Sequence, residues 1–150
     1  MLAANHVSIF VRSTVVGVSR YSPIIGAFNA SNVSVLGGGE IDGQGAAWYA
    51  ACAAHKLVQG RPRLVEFNTC VGVRMDDLTL RDSPFWTVHP VYSRSVHISR
   101  LRIFAPTNGL GNTDGVNPDS SVDVVIEDCF IANGDDGIAI KSGKVRHPPR

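Results

Sequence analysis

Charge is scarce in this chain. Only 18% of its 150 residues are Asp, Glu, Lys or Arg, and the two signs nearly cancel to a net +1. So balanced a composition leaves no electrostatic footprint for DNA, RNA or an anionic membrane. Long hydrophobic runs are missing as well, since each stays well under the roughly 18 residues needed to cross a bilayer. No basic segment followed by an apolar stretch opens the chain at residues 1–6, so no secretion signal is read there. Cysteine is sparse and odd in number: Cys52, Cys70 and Cys129 lack zinc-type spacing, which excludes a disulfide framework and a metal motif. Nothing calls for a cofactor. Helical pattern is also rare. Only residues 46–59 (AAWYAACAAHKLVQ), rich in Ala and free of Gly and Pro, read as a helix, which argues against a doubly wound sheet or a helical bundle.

What remains is strand-like. With 44% hydrophobic residues the chain is too apolar for a disordered tail, and its length suits one domain or a piece of a larger one. Short segments rich in Val and Ile alternate with Gly, Asn, Asp, Ser and Pro, as expected of strands and turns. Strand starts at Val7, Val33, Val71, Val96 and Val122 are separated by 26, 38, 25 and 26 residues. The long interval holds the predicted helix, so it reads as an ordinary coil carrying an insertion. A period near 25 residues with several short strands in each is the signature of a parallel β-helix, here of about five coils.

Finer alignment supports the repeat. Met75, Ile98 and Ile126 each precede two polar residues, Asp76-Asp77, Ser99-Arg100 and Glu127-Asp128. An apolar-x-apolar triplet follows each, which predicts one inward stack of Leu78, Leu101 and Cys129 and another of Leu80, Ile103 and Ile131. Cys129 is therefore read as core rather than as a reactive thiol. The competing architecture is a β-sandwich, which does not demand one repeated register.

Two short sequences recur at matching places: Asn112-Thr113-Asp114-Gly115-Val116 and Gly134-Asp135-Asp136-Gly137-Ile138. Aligning them sets Asp114 and Asp136 22 residues apart, about one coil, with Asp135 beside them. Carboxylates held that close repel, so at least one should hold its proton at a raised pKa. One protonated acid beside one ionised base is the equipment for cleaving a glycosidic bond. On spacing alone, other readings stay open: Asp-Gly turns are common, solenoids stack Asp for structural reasons, and clustered Asp can bind Ca²⁺ as in a lyase.

Here the sequence resembles a family. The run NTDGVNPDSSVDVVIEDCFIANGDDGIAIKSG (residues 112–143) is similar to glycoside hydrolase family 28, the polygalacturonases and related pectinases, in its plant-type branch. NHVSIFV (5–11), GGGEIDGQGAAWY (37–49), RPRLVEF (61–67) and LTLRDSPFWTVHPVY (78–92) extend the resemblance over nearly the whole chain. It implies an all-β, right-handed, single-stranded parallel β-helix of the pectin lyase-like kind. It also implies inverting hydrolysis of α-1,4-galacturonide bonds in pectin, outside the cell or in the cell wall, by a monomer. Asp135 matches the general acid, and Asp136 and Asp114 match the pair that activates water. Asn112 and Lys141 fall at substrate-binding positions. The family's Gly-His-Gly and Arg-x-Lys motifs have no counterpart, and His147 in the divergent tail 144–150 does not replace them. An internal piece of the family domain, weakly active or inactive alone, is the expectation. Cys found in relatives at the positions of Ser93, Ser121 and Gly137 is absent, so nearby disulfides are not expected.

Three other features have bland readings. Trp86 suits packing better than stacking on a sugar. His89, before Pro90, reads as shaping a turn. Gly37-Gly38-Gly39 reads as a β-helix turn, and Asn29-Ala30-Ser31 and Asn32-Val33-Ser34 are glycosylation sequons. Two rivals to a pectin hydrolase remain: a carbohydrate-binding or structural β-helix without catalysis, and a pectate lyase-like enzyme.

Overall fold

The computed structural model describes residues 21–106 and 111–142. The strand expected at 7–11, the tail 144–150 and His147 lie outside the described residues. Three strands make the first coil: β1 (Ile25–Phe28), β2 (Ser31–Leu36) and β3 (Glu40–Asp42). After the helix α1 (Gly45–Ala53) the pattern repeats in β4 (Val65–Asn68), β5 (Val71–Asp76) and β6 (Thr79–Arg81). It repeats again in β7 (Val88–Val91), β8 (Arg94–Ser99) and β9 (Arg102–Phe104), and then in β10 (Val122–Glu127) and β11 (Phe130–Ala132). The strands sort into three sheets, ordered β1-β4-β7, β10-β8-β5-β2 and β11-β9-β6-β3. Every pairing is parallel, which excludes the sandwich. In the fourth coil the first strand shrinks to bridges from Val88 to Val116 and from Val91 to Asp119, and a fifth coil starts with Val116 to Ile138 and Asp119 to Lys141. The chain is a parallel β-helix.

The predicted core stacks are present. Leu80, Ile103 and Ile131 occupy one register, which Ile41 extends. Leu78 and Leu101 are buried, and Cys129 packs half-buried against the same cluster. Fully burying one such side chain contributes about 1.5–3 kcal/mol, so the stacks set the register. Corners form where polar residues take left-handed backbone, with φ of 54° at Asp77, 51° at Arg100 and 53° at Asp128. One expectation shifts by two residues. Val33 and Val96 pair with Val73 and Val124, not with Val71 and Val122. A second left-handed corner at Asn32, Gly72, Ser95 and Asp123 lies just inside each strand and turns Val71 and Val122 outward.

The helix is shorter than the 46–59 predicted from its alanines. It ends at Ala53 because His55 adopts φ 53° and closes it. The Lys56 N–H reaches the Ala51 carbonyl at 2.9 Å and the His55 N–H reaches Cys52 at 3.0 Å, a Schellman pair without the usual glycine. Its N-terminus lies hard against the next coil. A Cβ on Gly45 would sit 2.6 Å from the Asp82 carbonyl oxygen, and the Tyr49 hydroxyl donates to Ser83 O at 2.6 Å. Arg61 then ties this insertion toward the site, over the Tyr49 ring at 4.7 Å and bonded to Pro84 O and Gly111 O. Among the described residues no helix is long and apolar enough to cross a membrane.

Candidate active site

The first sheet, continued by its bridges, sets one position of each coil above the next. Counting back two residues from the bridged set Val88, Val116 and Ile138 brings Trp86, Asp114 and Asp136 into line. The Thr87 N–H donates to Asp114 O at 2.9 Å and the Gly115 N–H to Asp136 O at 3.0 Å. Asp114 and Asp136 therefore occupy neighbouring rungs, about 4.8 Å apart as strands in a sheet are. Gly115 makes that approach possible, since a Cβ there would lie 2.5 Å from Gly137 O. Two further links join the aspartate-bearing loops: the Gly134 N–H to Thr113 Oγ1 at 3.1 Å, and Asn133 Nδ2 to Thr113 O and Asp136 O at 3.2 and 2.7 Å.

The carboxyls differ in their surroundings. Asp114 is buried, with Oδ2 3.4 Å from Lys141 Nζ and a buried Oδ1 that has no protein partner. Burial pushes its pKa above the ordinary carboxylate range, against the pull of Lys141. Asp135 is exposed. Its Oδ2 accepts the Asn112 N–H at 2.6 Å and its Oδ1 the Asp136 N–H at 2.9 Å, and these bonds hold it low. Asn112 presents that N–H from left-handed backbone at φ 65°, which Asn tolerates. Burial thus makes Asp114 the harder of the two to ionise, while Asp135, the family's match for the acid, is held low by its backbone hydrogen bonds. All five residues singled out from the sequence converge: Asn112 on Asp135, Lys141 on Asp114, and Asp136 on the Gly115 backbone.

Sequence reasoning missed the wall beside them. His89 shapes no turn. It sits in β7, one rung above Glu66, with Nδ1 2.8 Å from Glu66 Oε2 and Nε2 3.4 Å from Asp119 Oδ2. Burial lowers the His89 pKa despite both carboxylates. Burial would raise Glu66, but the His89 hydrogen bond and the Arg63 charge outweigh it and hold Glu66 low. Arg63 bonds Glu66 at 2.9 Å. Trp86, half-buried, meets four neighbours: Lys141 Nζ at 4.5 Å, Arg63 at 5.1 Å, and the Phe85 and His89 rings at 5.1 and 5.0 Å. The signal for this wall is the one-coil offset from Glu66 to His89, readable only once the register is known.

Relatives carry the same architecture. The profile of Glycosyl hydrolases family 28 matches residues 12–147. A probable polygalacturonase of Vitis vinifera is 45% identical over 125 residues, which cover 83% of this chain and 25% of that protein. An endo-polygalacturonase of Pectobacterium parmentieri is 33% identical over 138 residues, covering 84% of this chain and 34% of that one. Among solved structures, an exopolygalacturonase from Thermotoga maritima superposes with a TM-score of 0.72 at 27% identity, over 83% of this chain and 35% of that one. A polygalacturonase from Erwinia carotovora ssp. carotovora gives 0.72 at 30% identity, over 84% and 36%. This chain spans about a quarter to a third of the length of those curated relatives. With the profile match running almost from end to end, the chain belongs to glycosyl hydrolase family 28.

Proposed function

We propose that this chain carries the acid–base centre of a hydrolase that cleaves α-1,4-galacturonide bonds in pectic polygalacturonate with inversion. The observation that carries the reading is the stacking of Asp114 and Asp136 on neighbouring coils with Asp135 held beside them by the Asn112 N–H. Relatives named as polygalacturonase, endo-polygalacturonase and exopolygalacturonase support the substrate. In the reaction Asp135 gives its proton to the glycosidic oxygen as the bond to the anomeric carbon breaks. Water attacks that carbon from the opposite face and gives its proton to Asp136, while Asp114 positions the water. Asp135 must first be protonated. A galacturonate carboxylate seated nearby raises its pKa, so the polyanion itself recruits the acid. Lys141, about a quarter exposed and with N–H donors to spare, takes a substrate carboxylate, and Asn112 keeps Asp135 aimed. The polymer is a wall component, so the same reading assigns the protein to the cell exterior, as a monomer.

Turnover by this chain should be slow. Against three carboxylates the described residues set one cation in contact with them, Lys141, and repulsion opposes approach of the polyanion. Two measurements test the reading. Trigalacturonate titrated into the labelled protein should shift the amides of Asn112, Asp114, Asp135 and Asp136, whereas neutral galactan oligomers should not. Reducing ends released from polygalacturonate should fall about 10²–10⁴-fold in Asp135→Asn, the worth of general acid catalysis. Binding without any release favours the non-catalytic carbohydrate-binding rival. Unsaturated ultraviolet-absorbing ends would mean a lyase. No selective binding of the galacturonate overturns the proposal.

A further inference from the structure

We propose that Trp86 is a positioning residue, whose ring holds the Lys141 ammonium against Asp114 while a clamp of Glu66, His89 and Asp119 fixes the ring. A lysine carries four rotatable bonds, and one carboxylate contact at 3.4 Å on a part-exposed side chain does not fix it. The indole supplies a second contact. Lys141 Nζ lies 4.5 Å from its centroid, inside the roughly 6 Å over which the ring quadrupole attracts a cation. Asp114 and Trp86 thereby confine the ammonium from two directions, on neighbouring rungs of the same sheet.

The ring is in turn held on several sides. Its partner at 5.0 Å is His89, tilted by 62° in an edge-to-face contact. That imidazole has both nitrogens engaged, by Glu66 from the coil before at 2.8 Å and by Asp119 from the coil after at 3.4 Å. Side-chain exposures of 2% for His89, 14% for Glu66 and 0% for Asp119 leave the clamp little freedom to turn. Arg63, bonded to Glu66 at 2.9 Å, adds a second cation 5.1 Å from the indole. A sugar stacking on this ring would compete with Lys141, so the wall serves the cation rather than the sugar face.

This inference rests on the proposed function only for what Asp114 and Lys141 do with substrate. It is tested without turnover, on the whole chain. In the wild type, ring current should move the Lys141 Hε protons upfield. The Asp114 carboxyl, followed by ¹³C chemical shift, should titrate at higher pH in Trp86→Leu, because the positive charge beside it is no longer held. Lys141→Met should move it in the same direction, and Trp86→Leu/Lys141→Met no further than Lys141→Met alone, since the two residues act on Asp114 through one contact. Trp86→Phe, which keeps a π face, should return the midpoint toward wild type. Unshifted Lys141 protons, an unmoved Asp114 in a folded Trp86→Leu, or additive effects would overturn the inference. If Trp86→Leu does not fold, the wild-type ring-current shift and the ordering of Trp86→Phe between wild type and Lys141→Met decide it. Failure to bind galacturonate would leave these results standing and sink only the function.

Discussion

Gly115 and Gly137 follow aspartates in matching motifs, yet alanine at the two positions should have opposite effects. A Cβ on Gly115 would lie 2.5 Å from Gly137 O and 2.7 Å from Ile131 Cγ2, where backbone on one side and a packed side chain on the other cannot swing away. The fourth and fifth coils must part to admit it. That strains the Gly115 N–H to Asp136 O and Val116 N–H to Gly137 O bonds, both 3.0 Å. Overpacking of this kind costs about 1–3 kcal/mol. Weakening two backbone hydrogen bonds adds about 0.5–1.5 kcal/mol each at most. Gly115→Ala should therefore lose roughly 2–6 kcal/mol, a large part of the 5–15 kcal/mol typical of a folded domain. A Cβ on Gly137 meets nothing within 4 Å, and neither glycine has a positive φ. Gly137→Ala should thus be neutral, or gain about 0.4–1 kcal/mol by restricting the unfolded chain.

Urea unfolding decides between them. At slopes of about 1–3 kcal/mol/M the two midpoints should lie more than about 0.7 M apart, with unchanged slopes. Hydrogen exchange should quicken at the Gly115, Val116 and Ala139 amides of Gly115→Ala, because those N–H groups bridge the two coils. Equal midpoints would show that the coils separate freely, and the close aspartate stacking would lose its structural basis.

Other substitutions probe the site and its wall. Asp114, raised by burial, is costly to ionise in the folded state, so its favourable contribution is full below its unfolded pKa and is lost as pH rises through its folded one; Asp114→Asn should be the more stable protein at pH 7, an advantage that urea midpoints show disappearing in acid. Glu66 and His89 are both lowered on folding, so the stability they contribute is present above their unfolded values and is lost as pH falls, starting near about 6.5 for the histidine. His89→Gln should flatten that acid slope in thermal melts. Ser93→Ala should cost about 1–3 kcal/mol in the same assay, because the buried Cys70 N–H loses its acceptor at 3.0 Å. Tyr49→Phe should cost about 0.5–1.5 kcal/mol by freeing Ser83 O.

Part of this architecture is legible in the sequence alone and part is not, for physical reasons. The triplets ending in Leu80, Ile103 and Ile131 could be aligned because inward stacking demands the same polarity at the same step of every coil. The aspartates could be paired because an Asp-Gly-apolar motif repeats. The end of the helix could not, since His55 takes a conformation that sequence patterns reserve for glycine. Nor could the wall. Glu66 and His89 lie 23 residues apart and His89 and Asp119 lie 30 apart, and a local reading of His-Pro sees only a turn. Gly115 and Gly137 read alike in sequence, and only the filled or open space beside each separates them.

At one corner this chain keeps its coils aligned by a ladder of side-chain hydrogen bonds. Cys70, Ser93 and Ser121 precede the register set Val71, Arg94 and Val122 and so form one internal column. The Cys70 N–H donates to Ser93 Oγ at 3.0 Å and the Ser93 N–H to Ser121 Oγ at 3.1 Å. Each hydroxyl passes its proton back to a carbonyl of its own or the preceding coil: Ser93 Oγ to Phe67 O or Val91 O, and Ser121 Oγ to Pro90 O or Asp119 O. A disulfide would lock two rungs through one covalent bond, whereas this ladder links three through bonds each worth about 1 kcal/mol. Its last member bonds the backbone of Asp119, the residue that closes the His89 clamp. The ladder and the clamp therefore meet at Asp119, one through its backbone and the other through its carboxylate, and the register that brings Asp114 beneath Asp136 is the register that seats Trp86 against Lys141.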